Sequence, residues 1–302
     1  MNRREFLTIA GLAPFFGLKT LLGEGNHSFR DKTLRGKMNR DVNKVVDLHP
    51  ELRYKIISEA GSIMSDGLRL PHLPDGMGSF NVDNNIVLVR NHELDLRNGM
   101  KKSAFINPET QMKKLGSKHY DKNAIGGTTT VVLDKSSKNV IREYLSLSGT
   151  DDNCSGGVTP WGTWLTCEES IDKKKANRIP HGYVFEVDPR NNSLSTPIPL
   201  KNMGRFYHEA VAFDKFQNAY LTEDRDDGLI YKFSPKRLHN LERGDLFALK
   251  VKGEKDSRNW RNPSITVNKK YFVEWVRIED VDPDDDTMRY EGLEKGATPF
   301  SR

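Results

Sequence analysis

Residues 151–170 read D-D-N-C-S-G-G-V-T-P-W-G-T-W-L-T-C-E-E-S, and they hold both cysteines of the chain, two of its four tryptophans and a pair of adjacent glutamates. Cys154 stands before Gly156 and Gly157, so a loop is expected whose backbone reaches positive φ and approaches an ion closely. Residues 161–166 are expected as a strand, with Trp161, Thr163 and Leu165 on one face and Gly162, Trp164 and Thr166 on the other. Glu168 and Glu169 emerge at its end on opposite faces. The whole reads as one hairpin-like unit carrying a thiol and, fifteen residues later, a carboxylate that can share a metal with it. The competing reading is a Cys154–Cys167 disulfide in an exported protein, with both tryptophans as core. The C-x12-C spacing matches no common zinc pattern.

Outward from this unit, short apolar strands recur at 86–90, 128–133, 140–145, 183–187, 210–213, 219–222, 229–233, 264–267 and 271–278, and a β pattern begins at 54–57. Helical periodicity is scarce, and Gly61, Gly67, Pro71, Pro74, Gly76 and Gly78 leave no room for a helix between them. Asp75 falls between Pro74 and Gly76 on a tight turn. A weak repeat joins V-V-L-D-K-S-S-K-N-V, F-E-V-D-P-R-N-N-S-L and V-A-F-D-K-F-Q-N-A-Y: an apolar strand, an aspartate (Asp134, Asp188, Asp214), a polar turn and a second strand. Hairpins repeated in this way build sandwiches, barrels or propeller blades, so the fold class is all-β.

The hydrophobic share of 36% against 29% charged is that of a soluble globular chain and excludes a disordered one. The net charge of +5 comes from scattered lysines and arginines, without a basic stripe interleaved with aromatics, so nucleic acid is not an expected partner. Residues 1–25 combine Arg3-Arg4 with a broken apolar run and read as a twin-arginine export signal, too interrupted to span a membrane. A membrane contact is expected only if this segment is retained. Residues 26–48 are polar and basic and read as a linker, and residues 49–302 form the folded domain.

Several carboxylates sit at strand ends beside an imidazole or another acid: Glu93 after His92, Glu209 after His208, Glu168-Glu169 and Glu223-Asp224. Singly these are ordinary surface groups. Clustered, they repel one another and require cations; oxygen ligands suit calcium, and a thiolate with carboxylates suits iron. The acidic run 282–286 fails as an EF-hand, because Thr287 stands where glycine is needed and Leu293 where glutamate is needed. It is assigned to a solvated loop. There is no nucleophile elbow, Walker loop, H-E-x-x-H or dinucleotide fingerprint.

The stretch N-C-S-G-G-V-T-P-W-G-T-W-L-T-C-E-E resembles the signature of the PhoX alkaline phosphatases. So, in order, do P-D-G-M-G-S-F, V-R-N-H-E, G-G-T-T-T, H-G-Y-V-F-E-V-D-P, G-R-F-Y-H-E-A and L-T-E-D, a resemblance running from about Glu51 to Arg302. It implies a β-propeller, six-bladed in the full-length family, that holds iron and calcium in its central opening and hydrolyses small phosphate esters in the periplasm or outside the cell. Folded export through the twin-arginine machinery suits a protein that acquires its metal first. The resemblance places Cys154, Glu169 and Glu209 on iron, Asp75, Glu93, Glu223 and Asp224 in the metal centre, and Arg302 near the substrate. Cys167 is then expected as an unpaired core thiol, and Glu168 as a residue that tolerates glutamine. Family members continue with further blades, so the sequence is expected to be the front part of a longer, monomeric protein. The rival readings are a non-catalytic ligand-binding propeller and a calcium-dependent lactonase-like propeller. Neither has a use for the Cys154 thiolate.

Overall fold

The structure is a computed structural model that describes residues 38–171, 179–258, 264–266 and 268–300. The chain divides into two compact units, Met1–Ile56 and Ile57–Arg302. In the first, the Asp41 carboxylate accepts the Tyr54 hydroxyl at 2.6 Å and the backbone N–H groups of Asn43 and Val45, a local Asx-type turn. The twin-arginine segment lies outside the described residues. Among the described residues no helix is long and apolar enough to cross a membrane.

The second unit is mainly β, built from three antiparallel meanders of consecutive strands. The first sheet runs β1 (Pro74–Val82), β2 (Asn85–His92), β3 (Gly126–Asp134) and β4 (Val140–Thr150). The second is β5 (Asn153–Val158), β6 (Trp164–Glu168) and β7 (Val184–Val187). The third is β8 (His208–Phe213), β9 (Ala219–Glu223), β10 (Ile230–Arg237), β11 (Asn240–Val251) and β12 (Val273–Ile278). Among the described residues two short α-helices, α1 (Pro108–Leu115) and α2 (Met288–Glu294), accompany them.

The repeat aspartates explain the turns. Asp134 accepts the N–H groups of Ser136 and Ser137, Asp188 that of Arg190, and Asp214 those of Phe216 and Asn218. Each carboxylate replaces strand hydrogen bonds where the chain reverses. After Asp188 the expected second strand is reduced to one bridge, between Phe185 and Pro199.

The first strands of the three sheets meet at β5, which lies against both β1 and β8. They do so backbone to backbone. A Cβ on Gly76 would come within 2.7 Å of Ser155 Cα, and one on Gly157 within 2.0 Å of the Val211 carbonyl oxygen, so only glycine permits the approach. On either side the middle sheet buries a separate core: Trp164 and Phe185 against Phe80, Val87, Val89 and Leu147, and Leu165 and Val184 against Val211, Leu221, Tyr231 and Phe233. Trp164 and Leu165 therefore face opposite ways, as strand periodicity requires.

Four expectations need correction. Cys154 is on strand β5, not on a loop, and residues 161–163 form the turn before β6. Asp75, expected on a tight turn, lies in β1, which pairs with β2 with an irregularity between Pro74 and Met77, while the glycine-dense segment is free of helix as expected. Residues 54–57 and 264–266 are not in strands. The twelve-residue β11 was not foreseen, since N-L-E-R-G-D-L-F-A-L-K-V has no clean alternation.

Candidate metal centre

Three donors converge where β5, β6 and β8 meet. Cys154 lies on β5, Glu169 directly follows β6 and Glu209 is the second residue of β8. One ligand atom from each, Sγ and two carboxylate oxygens, lies within 4.8 Å of the others. Ligands of one ion bound at roughly 2.0–2.3 Å stand about this far apart, so the donor set fits a single transition metal.

Each donor is held by its backbone. The Asn91 side-chain amide donates to the carbonyls of Cys154 (3.1 Å) and Ser155 (2.7 Å), and accepts the Trp164 indole N–H at 2.9 Å. The Glu169 N–H donates to Asp152 O at 2.9 Å, and His208 pairs with Glu223 across β8 and β9. The Cys154 thiol lies 3.2 Å from His208 O. Both Cys154 and Cys167 are buried and free of any disulfide.

The electrostatics are those of acids facing acids. Burial, then a hydrogen bond and repulsion from Asp224 and the charges of Glu209 and Glu93, push the Glu169 carboxyl up to about 8. Burial, Asp224, Asp75 and Glu93 also raise Glu209, partly offset by a hydrogen bond with Cys154. Burial raises the Cys154 thiol, and Glu209 and Glu169 add to it. Asp75, Glu93 and Asp224 thus share one field with the three donors. A cation among them removes both the repulsion and the cost of burying anions.

Glu223 is not one of the three grouped donors. Its carboxylate accepts the Leu229 N–H and the Tyr231 hydroxyl, each at 3.0 Å, and lies 3.7 Å from the Arg289 guanidinium. Arg302 is outside the described residues. The acidic run is more engaged than a solvated loop: Asp282 accepts the Tyr183 hydroxyl at 2.6 Å, and Asp286 pairs with Arg225 and Arg289.

Glu168, expected to tolerate glutamine far better than Glu169, has more partners than that expectation took into account. It is fully buried, accepts the N–H groups of Asp151 (2.9 Å), Gly182 (2.8 Å) and Tyr183 (3.1 Å), and lies 2.7 Å from His181 Nδ1. The other ring nitrogen of His181 lies 3.2 Å from Asp121. Burial opposes a charge on His181, yet the Glu168 charge and the hydrogen bonds of Asp121 and Glu168 push its pKa up to about 10. Sequence reasoning missed Asn91 and His181, although both lie inside the motifs V-R-N-H-E and H-G-Y-V-F-E-V-D-P.

Scaffold and donor set together define the class: a mainly-β chain with a thiol-carboxylate site suited to a metal. The family model for alkaline phosphatase PhoX matches residues 33–302, and the chain belongs to that family. No curated protein and no solved structure matches it.

Proposed function

We propose that the chain is an exported, metal-dependent phosphatase acting on small phosphate esters. Family membership supports phosphoester hydrolysis, and the convergence of Cys154, Glu169 and Glu209 is the observation that carries the metal assignment. These three residues would hold iron, because a thiol among carboxylates favours it over calcium or magnesium. Asp75, Glu93 and Asp224, whose charges act on Glu169 and Glu209, are the oxygen donors for calcium. Three meanders joined at their first strands support reading the sheets as blades of a β-propeller.

When bound, such ions supply Lewis-acid polarisation of phosphoryl oxygens and activation of water. The chain's part is positional. Asn91 fixes the Cys154 backbone from the β2 side, and the Glu168–His181 pair fixes the segment that ends in Glu169. Two clamps on one short hairpin keep the donors from moving apart as charge shifts to the leaving oxygen. Arg302 is proposed as the cation that contacts the substrate. Arg3-Arg4 and the family's usual export support a periplasmic or extracellular enzyme delivered by the twin-arginine machinery, which we take to act as a monomer.

Elemental analysis of the purified full chain, with p-nitrophenyl phosphate as substrate, tests this reading. Iron is expected, and Cys154→Ser should lose iron and turnover together. Calcium alone without turnover would replace the phosphatase reading with a calcium-dependent hydrolase of another class or a binding propeller, and a Cys154→Ser protein with full turnover would remove the thiol from the centre.

A further inference from the structure

Two hairpin tips of the third sheet project side by side. The β8–β9 tip exposes Phe216 to 67% and the β10–β11 tip exposes Leu238 to 68%, although both are large apolar side chains. The tips are tied together, because the His239 N–H donates to Gln217 Oε1 at 3.0 Å. Gln217 and His239 have φ of 66° and 60°, so each turn is tight and presents its apolar residue outward. Isolated exposed leucines are ordinary; two linked apolar tips are a surface feature.

Cations surround them. Lys215 Nζ lies 5.0 Å from the Phe216 ring. Lys236, Arg237 and Arg243, with Asn240 and Glu242, line a cleft of about 420 Å³ at the base of the second tip. Lys236 is paired with Asp245, and Glu242 opposes part of the charge, so Lys215, Arg237 and Arg243 supply the remaining excess. Apolar residues at a tip with cations around the base are the arrangement that meets a lipid interface: the tips enter the acyl boundary while the cations stay at the phosphates. A free phosphate would use the cleft and leave the tips without a role.

We propose that the paired tips carrying Phe216 and Leu238 form a docking surface for an anionic phospholipid membrane, with the cleft of Lys236, Arg237 and Arg243 receiving headgroup phosphates. This surface is independent of the metal centre and of the phosphatase reading.

Co-sedimentation of the full chain with vesicles tests it, using phosphatidylcholine alone and equal parts phosphatidylcholine and phosphatidylglycerol. Binding is expected to the anionic vesicles and to fall steeply with added salt. Arg237→Glu with Arg243→Glu should weaken it by about 30-fold or more, since each surface cation contributes about 1 kcal/mol. Phe216→Ser with Leu238→Ser should weaken it at every salt concentration. All four residues are exposed, so unchanged thermal unfolding of the variants is expected and confirms folding. Equal binding to both vesicle types, or variants that bind as the parent does, would overturn the proposal and assign any binding to the apolar N-terminal run. Self-association without vesicles that the Phe216→Ser, Leu238→Ser variant abolishes would overturn it in favour of a second copy as the occupant.

Discussion

Glu168 and Glu169 are consecutive, and the molecule treats them in opposite ways. Glu168 is enclosed by donors from Asp151, His181, Gly182 and Tyr183. Beyond burial, the leading influences on Glu169 are other acids, Asp224, Glu209 and Glu93. The chain answers a buried carboxylate with its own N–H groups and imidazole where the role is structural. Where the acids instead face one another, their repulsion is relieved by taking up protons or a cation. The contrast marks the site more firmly than the number of acids in it.

The contrast breaks most visibly under isosteric substitution. Glu169→Gln in the intact protein should lower turnover about a thousandfold, because a centre that polarises the phosphoryl group contributes several kcal/mol to the barrier. In metal-free protein the same change should leave thermal stability unchanged or higher, since it removes one of the repelling charges. Glu168→Gln should do the reverse and destabilise the fold itself by roughly 3–5 kcal/mol, leaving His181 buried with half its charge compensation. Chemical denaturation of both variants, each with and without chelator, distinguishes the two. Equal loss of stability would erase the distinction.

A smaller effect comes from His119, on which burial outweighs the charge of Asp121. Its Nδ1 lies 2.8 Å from the Ser148 hydroxyl and its ring meets Phe105 edge-on. Burial pushes its pKa down to about 4 from 6.5. Between these values the unfolded chain binds the proton and the folded one does not, so this contribution is complete above pH 6.5 and is lost as pH falls toward 4, roughly 3 kcal/mol in all. His119→Gln should flatten the stability profile in that window and leave it unchanged above pH 7, as measured by urea midpoints. The smallest effect is at the Asp214 turn, where Asp214→Ala should cost about 1 kcal/mol with no change in metal content or turnover.

The hairpin repeat was legible in the chain because it depends on short-range pattern, a period of two and an aspartate at each reversal, whereas the grouping of Cys154, Glu169 and Glu209 was expected only from the family resemblance, since no local pattern brings a residue of β8 to β5. Paired motifs show how far that pattern extends. In His92-Glu93 and His208-Glu209 the imidazole turns inward, His92 to His72 O and Thr129 and His208 to Gly204 O, while the following glutamate joins the acids. The illegible parts depend on distant contact. Gly76 and Gly157 looked like turn residues because no local signal separates a bend from a close approach, and what they accommodate is another strand's backbone. Glu168 looked dispensable because its partners, Gly182, Tyr183 and His181, lie beyond the next connection.

The Asn91 bridge gives the centre an optical reporter. Its amide holds the carbonyls of Cys154 and Ser155 while accepting the Trp164 indole N–H, so a single side chain connects a thiol donor's backbone to a chromophore. Any shift of β5 as Sγ takes up an ion reorients the dipole on which the indole rests. If an ion binds there, Trp164 emission is expected to follow occupancy from within the fold, and Asn91→Leu to disconnect it.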